Sequence, residues 1–277
     1  MDEFIKYGNV EIRLPDENLA SFCIFQDLTK LFGVGFQSEA VALLRNELKS
    51  HTDLKPKPRI DFESDYADIA SRSADTIFLV ASVINDLAQK EEKIEVSDTD
   101  RQEIFKRLKE WKRPRPAKWV IGDIFSLKLK DNTFMFGQII GTHLTLQSPT
   151  CAIFEIKRPT EDVSFDELKK SRVISILNTT GECLNNKTFK VLFNAELLAD
   201  IKLANERKST GDGSLLCLCN AYYGLEPWNV LYKDTYYDEM LQKGIERPQR
   251  IILLDKDARN KYRLENFGID DNNKYPE

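Results

Sequence analysis

A single stretch, residues 118–140, constrains the fold of this chain more than any other part of the sequence. In its first arm, between Phe125 and Lys130, apolar and polar residues alternate, which is the period-two pattern of a half-buried strand. Asp131 and Asn132 then interrupt the pattern, and both residues tolerate a positive φ. The return arm is almost wholly apolar. We therefore predict a β-hairpin whose two strands are joined by a tight primed turn.

Two features of the same stretch indicate how the hairpin packs. Gly137 lies inside the return arm, where a glycine indicates a β-bulge or a close approach of another group to the backbone. Ahead of the hairpin, Trp119, Gly122 and Asp123 form a W-x-x-G-D sequence, which is typical of the start of a small β-barrel. The simplest interpretation is a hairpin that nucleates a barrel, and nothing in it is a catalytic signature.

The composition is that of a soluble globular protein that is long enough for two domains. The chain has 277 residues, of which 42% are hydrophobic and 31% are charged. No apolar run approaches the roughly 18 residues that a membrane-spanning helix needs. The N-terminal segment is acidic and lacks the hydrophobic segment of a secretory signal. We therefore expect a cytoplasmic protein that does not bind a membrane.

The cysteines and histidines predict neither a disulfide framework nor a metal site. Five cysteines, an odd number, occur at irregular spacings. Cys217 and Cys219 would point to one face of a predicted strand, and a metal pair is conceivable there. A zinc site needs four Cys or His ligands, however, and the two histidines, His51 and His143, are distant in sequence. We interpret the pair as buried cysteines of an apolar strand, and we predict no metal and no cofactor.

The scarcity of histidine also limits catalysis. Most zinc enzymes and most Ser-His or Cys-His nucleophile systems require a histidine. The sequence has no Walker A or G-x-S-x-G motif, and we interpret residues 211–214 as a turn because no phosphate-loop Lys-Ser/Thr follows. We therefore predict that the protein is not an enzyme. Asp123 and Glu226 are the acids to consider if catalysis were found, although each also fits a structural role, in a turn and in a loop respectively.

The residue patterns predict an α+β protein. Helices are predicted at residues 36–50, 74–90, 97–111, 164–170 and 195–205. Strands outside the hairpin are predicted at residues 59–62, 66–71, 151–156, 172–177, 189–193, 215–219 and 250–253. In the first part of the chain, strands and helices succeed one another as in a small sheet with helices on one face. The second part is β-rich and predicts a twisted, barrel-like sheet with added helices.

These elements predict two domains that are separated by a linker. We expect an acidic α+β domain at residues 1–96, a helix and a basic, proline-containing linker at residues 97–117, and a β-rich domain at residues 118–277.

The acidic residues are concentrated in the first domain. Residues 1–98 hold 19 Asp and Glu against 11 Lys and Arg. Four of these carboxylates crowd one predicted hairpin, and they are Asp61, Glu63, Asp65 and Asp68. The hairpin is either an ordinary solvated one or a patch that steers a basic partner into contact. The same negative field argues against nucleic-acid binding by this domain.

Aromatic residues are concentrated in a second stretch, which includes Tyr222, Tyr223, Trp228 and Tyr232. Tyr and Trp dominate the energetic hot spots of protein interfaces, so the stretch is a candidate binding surface. The alternative is a lid whose rings pack onto the core of the barrel. These four residues and the four carboxylates are the candidate contacts with a protein partner.

Several motifs between residues 117 and 254 resemble the immunity protein 26 family of bacterial polymorphic-toxin systems. They occur in the order W-x-x-G-D-x-F-x-x-x-L, F-x-F-G-Q-I-I, GLEPWNVLY, YYDEML and G-x-x-R-P. Their order over some 130 residues carries the resemblance, more than any one motif does. The resemblance implies a protein that neutralises the catalytic domain of a secreted toxin.

Residues 20–90 resemble a second family, immunity protein 51. The resemblance is carried by Gly35-Phe36 at the start of a helix, by Ala40–Leu44 inside it, by the sequence IDFESDYADIAS, and by the helix from Leu79 to Leu87. It implies that the chain is a fused pair of immunity modules.

Together, the residues and the resemblances predict an immunity protein that occludes the active site of a cognate toxin. A basic nuclease is one candidate for that toxin. Two other interpretations stay open. One is a phosphoester hydrolase with a convergent carboxylate or metal cluster. The other is a nucleic-acid-associated barrel that uses Arg113, Arg115, Lys118 and the exposed aromatic residues, and whose affinity would fall steeply with salt.

Overall fold

The computed structural model describes residues 4–51, 54–143, 145–203, 209–231 and 233–269. The chain divides into two compact units, Met1–Pro116 and Ala117–Glu277. Each unit combines one sheet with helices, so the predicted α+β class is confirmed. Within the described ranges, no helix is long and apolar enough to cross a membrane.

The first unit is an antiparallel sheet with helices packed against it. Its strands are β1 (Phe4–Tyr7), β2 (Val10–Arg13), β3 (Phe22–Gln26), β4 (Arg59–Phe62) and β5 (Ala67–Ser71). Its helices are α1 (Thr29–Phe32), α2 (Gln37–Leu48), α3 (Ala74–Leu87) and α4 (Asp98–Glu110). The spatial order of the strands is β1-β2-β3-β5-β4. Apolar side chains of α2 and α3 and of the strands form one core.

Two serines determine where the longer helices of this unit begin. α3 begins at Ala74 because the Ser73 hydroxyl accepts a hydrogen bond from the Thr76 amide at 3.3 Å. The Ser97 hydroxyl accepts from the Asp100 amide at 3.1 Å in the same way, which starts α4 where it was predicted. Side-chain oxygens at these positions satisfy amides that the first turn of a helix leaves free.

The second unit is built on a larger sheet. Its strands are β6 (Asp123–Lys128), β7 (Phe134–Thr142), β8 (Pro149–Arg158), β9 (Val173–Thr179), β10 (Lys190–Asn194) and β11 (Ser209–Thr210). Its helices are α5 (Phe165–Lys170), α6 (Glu182–Asn185), α7 (Asp212–Tyr222) and α8 (Lys256–Phe267). The strand order is β10-β6-β7-β8-β9-β11. In the described residues the end strands do not pair with each other, so the predicted barrel-like sheet is open.

One predicted strand is a helix. Residues 215–219 lie in α7. Their run of leucines and cysteines is short and apolar throughout, and such a run does not distinguish a buried helix from a buried strand. The helix places Leu215, Leu218 and Cys219 in the core, whereas Cys217 is only partly buried. The two cysteines therefore do not share one face as predicted, because residues two apart in a helix point in different directions.

Two shorter predictions are also corrected. In the segment predicted as a strand at residues 250–253, Ile252 forms an isolated bridge with Pro227. In the segment predicted as a helix at residues 195–205, the described residues contain a single 3₁₀ turn, Ile201–Leu203. Both segments are short, and tertiary contacts override weak local preferences in such segments.

The predicted hairpin of the second unit is confirmed, but its turn is different. β6 and β7 pair with Phe125 opposite Gly137. The Leu129 amide donates to the Thr133 carbonyl at 2.8 Å, and the Asn132 amide donates to the Leu129 carbonyl at 3.0 Å. Within this loop, which is fully described, only Asn132 has a positive φ, of 65°. The hairpin therefore closes through a three-residue loop with one left-handed residue and not through a primed two-residue turn.

Gly137 allows an aromatic ring to pack against the backbone of this hairpin. A Cβ atom built on Gly137 would lie 2.4 Å from Cζ of Phe125 on the paired strand. The same ring stacks on Phe189, with 5.7 Å between the ring centroids. The predicted close approach at Gly137 is confirmed, because only a residue without a side chain leaves room for the ring.

Candidate functional site

The acidic hairpin, which comprises β4, β5 and their turn, is organised by one arginine. Asp61 and Asp68 lie opposite each other in the antiparallel strand pair. The Arg59 guanidinium contacts Asp61 at 3.0 Å and Asp68 at 2.5 Å. The hydrogen bond to Asp68 is the main reason that the pKa of Arg59 is raised. Arg59 therefore offsets the repulsion between the two carboxylates, which the strand register places opposite each other.

The other carboxylates of the acidic hairpin are open to solvent. Glu63 and Asp65 lie in the turn, and both residues are exposed. Among the described residues, neither of these two side chains forms an ion pair. The Asp61 side chain, although it contacts Arg59, is itself 67% exposed. The hairpin thus presents three solvated carboxylates at the edge of the sheet, where β4 is the outermost strand.

Two exposed aromatic rings lie beside the acidic hairpin. Phe25 is 53% exposed and Tyr66 is 37% exposed, and their ring centroids are 6.2 Å apart. Phe25 is the cross-strand partner of Asp68. Exposed rings that adjoin one another are typical of interaction surfaces. Sequence reasoning missed this pair because Phe25 lies in an apolar run, and only the register shows that it does not face the core.

The aromatic stretch lies largely in the core of the second unit. Tyr222 and Trp228 are each 1% exposed. Trp228 packs edge-on against Tyr237, with 5.4 Å between the ring centroids. Tyr223 is half-buried, and Tyr232 lies outside the described residues. The rings of Tyr222 and Trp228 therefore occupy the lid position that was the alternative interpretation, and they offer a partner little surface. Tyr223 does have accessible surface.

A polar cleft, called the Arg250 cleft, opens beside the aromatic stretch. It has a volume of about 320 Å³, and its lining includes Glu155, Arg172, Tyr222, Glu246, Arg247 and Arg250. The Glu155 carboxylate accepts hydrogen bonds from the Tyr222 hydroxyl at 2.7 Å and from Arg172 Nε at 2.8 Å. These residues come from β8, from the start of β9, from the end of α7 and from a later loop. The sequence signals for the cleft were Tyr222, which belongs to the aromatic stretch, and the G-x-x-R-P motif.

Burial raises the pKa of the two tyrosines beside the cleft. For Tyr222, burial is the largest cause and the hydrogen bond to Glu155 adds to it, which raises the pKa to about 12. Burial likewise raises the pKa of Tyr223 to about 12, although Arg250 opposes the shift. Both phenols are therefore neutral near pH 7, and Tyr222 remains a hydrogen-bond donor to Glu155.

We expect these two phenols to ionise late in the folded protein. Their folded-state pKa lies above the ordinary value of 10.0, so the stability they contribute is complete below about pH 10. It is lost as the pH rises through about 12. An ultraviolet titration should show a late phase that Tyr222→Phe and Tyr223→Phe each reduce by one phenol. The urea-unfolded protein is the control. If the tyrosines of the folded protein ionised with the same midpoint as those of the unfolded protein, the prediction would be contradicted.

The two acids considered for catalysis both have structural contacts. Asp123 accepts hydrogen bonds from the Val120 amide and from the Asn194 side-chain amide, each at 2.9 Å, which holds the turn before β6. Glu226 is buried, and its carboxylate pairs with Lys130. The hydrogen bond to Glu226 is the largest cause that raises the pKa of Lys130. Each acid thus has contacts that account for its position.

The thiols and acids do not converge on a metal-binding arrangement in the described part of the chain. No group of three or more His, Cys, Asp or Glu side chains is placed there to hold a metal ion. All five cysteines are free. Burial raises the pKa of the Cys217 thiol to about 11 and that of Cys151 to about 12. Both side chains are therefore thiols near neutral pH.

These features describe an α+β protein of two sheet-and-helix units whose candidate sites are a charged hairpin and a polar cleft. Residues 120–211 match the model of the family Immunity protein 26. This match confirms the predicted resemblance over that range and supports an immunity-protein role. No curated protein and no solved structure matches the chain. The resemblance of residues 20–90 to immunity protein 51 remains a prediction.

Proposed function

We propose that the protein binds a cognate secreted bacterial toxin in the cytoplasm and neutralises it by occluding the toxin's active site. The observation that carries this proposal is the match of residues 120–211 to the Immunity protein 26 family. Occlusion requires no chemistry from the immunity protein. It requires an interface that excludes water and substrate from the toxin's catalytic groups.

The acidic hairpin supports a basic toxin as the partner. A nuclease binds the phosphates of its substrate with Lys and Arg, so its active-site groove carries positive charge. The solvated carboxylates of Asp61, Glu63 and Asp65 would occupy the positions of substrate phosphates in that groove. Their field would also accelerate encounter with a basic surface. Phe25 and Tyr66 would add the aromatic contacts that dominate interface energies.

The experiment that tests the proposal is capture of the partner by the tagged full-length protein from a lysate of the native strain. Mass spectrometry should identify, at equal stoichiometry, the C-terminal toxic part of a secreted protein. Co-expression of that part with the immunity protein should restore growth to a host that the toxic part alone kills. Growth arrest that persists during co-expression would overturn the proposal.

Neutralising the acidic hairpin is expected to slow association with the captured toxin. The triple variant Asp61→Asn, Glu63→Gln and Asp65→Asn removes three solvated charges and leaves the contact between Arg59 and Asp68 in place. We expect the association rate constant at low salt to fall about tenfold, and its salt dependence to become shallower. Surface plasmon resonance over a range of salt concentrations measures both quantities.

A matched variant separates the effect of position from that of net charge. Glu91→Gln, Glu92→Gln and Glu95→Gln remove three exposed carboxylates elsewhere in the first unit. This control should leave the association rate within about twofold of the wild type. The segment that carries these charges hydrogen-bonds to Asn9, between β1 and β2, at the opposite edge of the sheet from β4. Equal slowing by the two triple variants would show that overall charge, and not the hairpin, governs association.

A further inference from the structure

The Arg250 cleft contains three guanidinium groups that differ in how they are neutralised. Arg172 is paired with Glu155, with its Nε and Nη2 atoms 2.8 and 2.7 Å from one carboxylate oxygen. Arg247 is paired with both carboxylate oxygens of Asp238. These two arginines therefore have their charge compensated within the unit. Arg250 is the third, and its surroundings are different.

Arg250 is held by several contacts, and its ion pair is long. Its Nε donates to the Tyr222 carbonyl at 2.8 Å. Its guanidinium lies 4.2 Å from the ring centroid of Tyr223 and 5.2 Å from that of Tyr222. Among the described residues its ion-pair contact is with Glu155, whose Oε1 lies 4.0 Å from Nη2, which is too long for a hydrogen bond. Among the described residues, no hydrogen-bond acceptor therefore engages the two terminal nitrogens.

These contacts leave the outer edge of the guanidinium available to a ligand. The Arg250 side chain is 46% exposed and lines the cleft. Because Nε is already bonded and the guanidinium lies over the Tyr223 ring, little side-chain freedom remains to be lost on binding. Two parallel N–H groups in a fixed plane match the two oxygens of a carboxylate. The two terminal N–H groups of Arg250 are therefore preorganised for a planar anion.

The remaining charges of the cleft limit the charge of that anion. Once the pairs of Arg172 and Arg247 are set aside, Arg250 contributes one positive charge. Glu246 also lines the cleft, and it has no ion-pair partner among the described residues. Glu246 repels any anion, and it repels a dianion about twice as strongly as a monoanion, whereas the single positive charge of Arg250 balances only a monoanion. The volume of about 320 Å³ lies at the lower end of the range for small-molecule pockets.

We propose that the Arg250 cleft is a binding site for a carboxylate monoanion, held in bidentate fashion by Arg250. The carboxylate belongs either to a free small molecule or to an acidic side chain of a polypeptide. This site goes beyond the proposed function, because it requires no toxin and lies in a different unit from the acidic hairpin.

The test is a titration of the full-length protein followed by nuclear magnetic resonance of the arginine Nε–H groups. The probes are sodium acetate, sodium phosphate at pH 7.5 and N-acetyl-glutamate amide, each at constant ionic strength against sodium chloride. We expect acetate to shift the Arg250 resonance in a saturable manner, while chloride does not. Phosphate, largely a dianion at this pH, should bind more weakly than acetate. Tighter binding of phosphate, or equal effects of acetate and chloride, would overturn the proposal.

The third probe identifies the source of the carboxylate. N-acetyl-glutamate amide carries its carboxylate next to peptide groups, whereas acetate has no such groups. Binding of this probe about tenfold more tightly than acetate would assign the site to a polypeptide side chain. Similar binding of the two probes would assign it to a free small carboxylate.

Three variants test whether the guanidinium of Arg250 is the group that binds the carboxylate. Arg250→Lys keeps the charge but removes the bidentate geometry, and it should weaken acetate binding about tenfold. Glu246→Gln should tighten binding severalfold by removing a repelling charge. Arg158→Gln is the control, because Arg158 pairs with Glu167 and does not line the cleft. Unchanged binding in both Arg250→Lys and Glu246→Gln would contradict the proposal, and the Glu246 variant remains informative if Arg250→Lys destabilises the fold.

Discussion

Trp228→Ala is expected to lower the free energy of unfolding by about 3–5 kcal/mol, which is the range observed when a large aromatic side chain is removed from a core. Trp228 is 1% exposed and packs edge-on against Tyr237. Alanine would leave a cavity in the core cluster that Trp228 shares with residues of the sheet and of α7, and these residues cannot close it without moving. Chemical denaturation followed by circular dichroism measures the loss.

The same variant distinguishes the two interpretations of the aromatic stretch. A core residue affects stability first, whereas a contact residue at a surface lowers toxin affinity and leaves stability nearly unchanged. Leu203→Ala is the control, because Leu203 is 61% exposed and its truncation should change the free energy of unfolding by less than about 0.5 kcal/mol. A Trp228→Ala protein of wild-type stability would contradict the burial of this ring.

Gly137→Ala is expected to destabilise the protein by about 1–3 kcal/mol, although alanine is usually the better residue in regular structure. The added Cβ would lie 2.4 Å from Cζ of Phe125 and 2.9 Å from two further ring atoms. The Phe125 ring cannot move away freely, because it stacks on Phe189 in the core. Urea denaturation of the variant measures the change.

A second glycine provides a matched control for this prediction. Nothing lies within 4 Å of a Cβ atom built on Gly213, in the first turn of α7, and its φ is not positive. Gly213→Ala should therefore stabilise the protein by about 0.4–1 kcal/mol, by restricting the unfolded chain. If the Phe125 contact is the cause, Phe125→Leu combined with Gly137→Ala should be less destabilising than the sum of the single changes. Strict additivity of the two changes would contradict this explanation.

The elements that the sequence predicted correctly carry strong local signals. The hairpin of β6 and β7 follows from the alternation in its first arm and from the break at Asp131 and Asn132, and α4 follows from the cap at Ser97 and the acids after it. The run at residues 215–219 fits a strand or a helix equally well because it is short and apolar, and only the tertiary packing that buries Leu215, Leu218 and Cys219 distinguishes the two. Positions such as Gly137 were informative because glycine has few reasons to lie in an apolar strand.

The candidate site was predicted less completely, because its geometry depends on residues that are far apart in sequence. The charge density of the acidic hairpin could be counted from the sequence, whereas the bridging role of Arg59 required the pairing of Asp61 with Asp68. The exposure of Phe25 likewise depended on which face of the sheet it occupies.

By itself, the sequence determined the α+β class, the two principal hairpins and the motifs of the Immunity protein 26 region, since these depend on neighbouring residues. The tertiary structure alone decided that Trp228 is buried and that Glu155, Arg172 and Arg250 line one cleft. The physical reason is that burial and charge pairing depend on distances between segments. Those distances are established only when the sheet and α7 pack together.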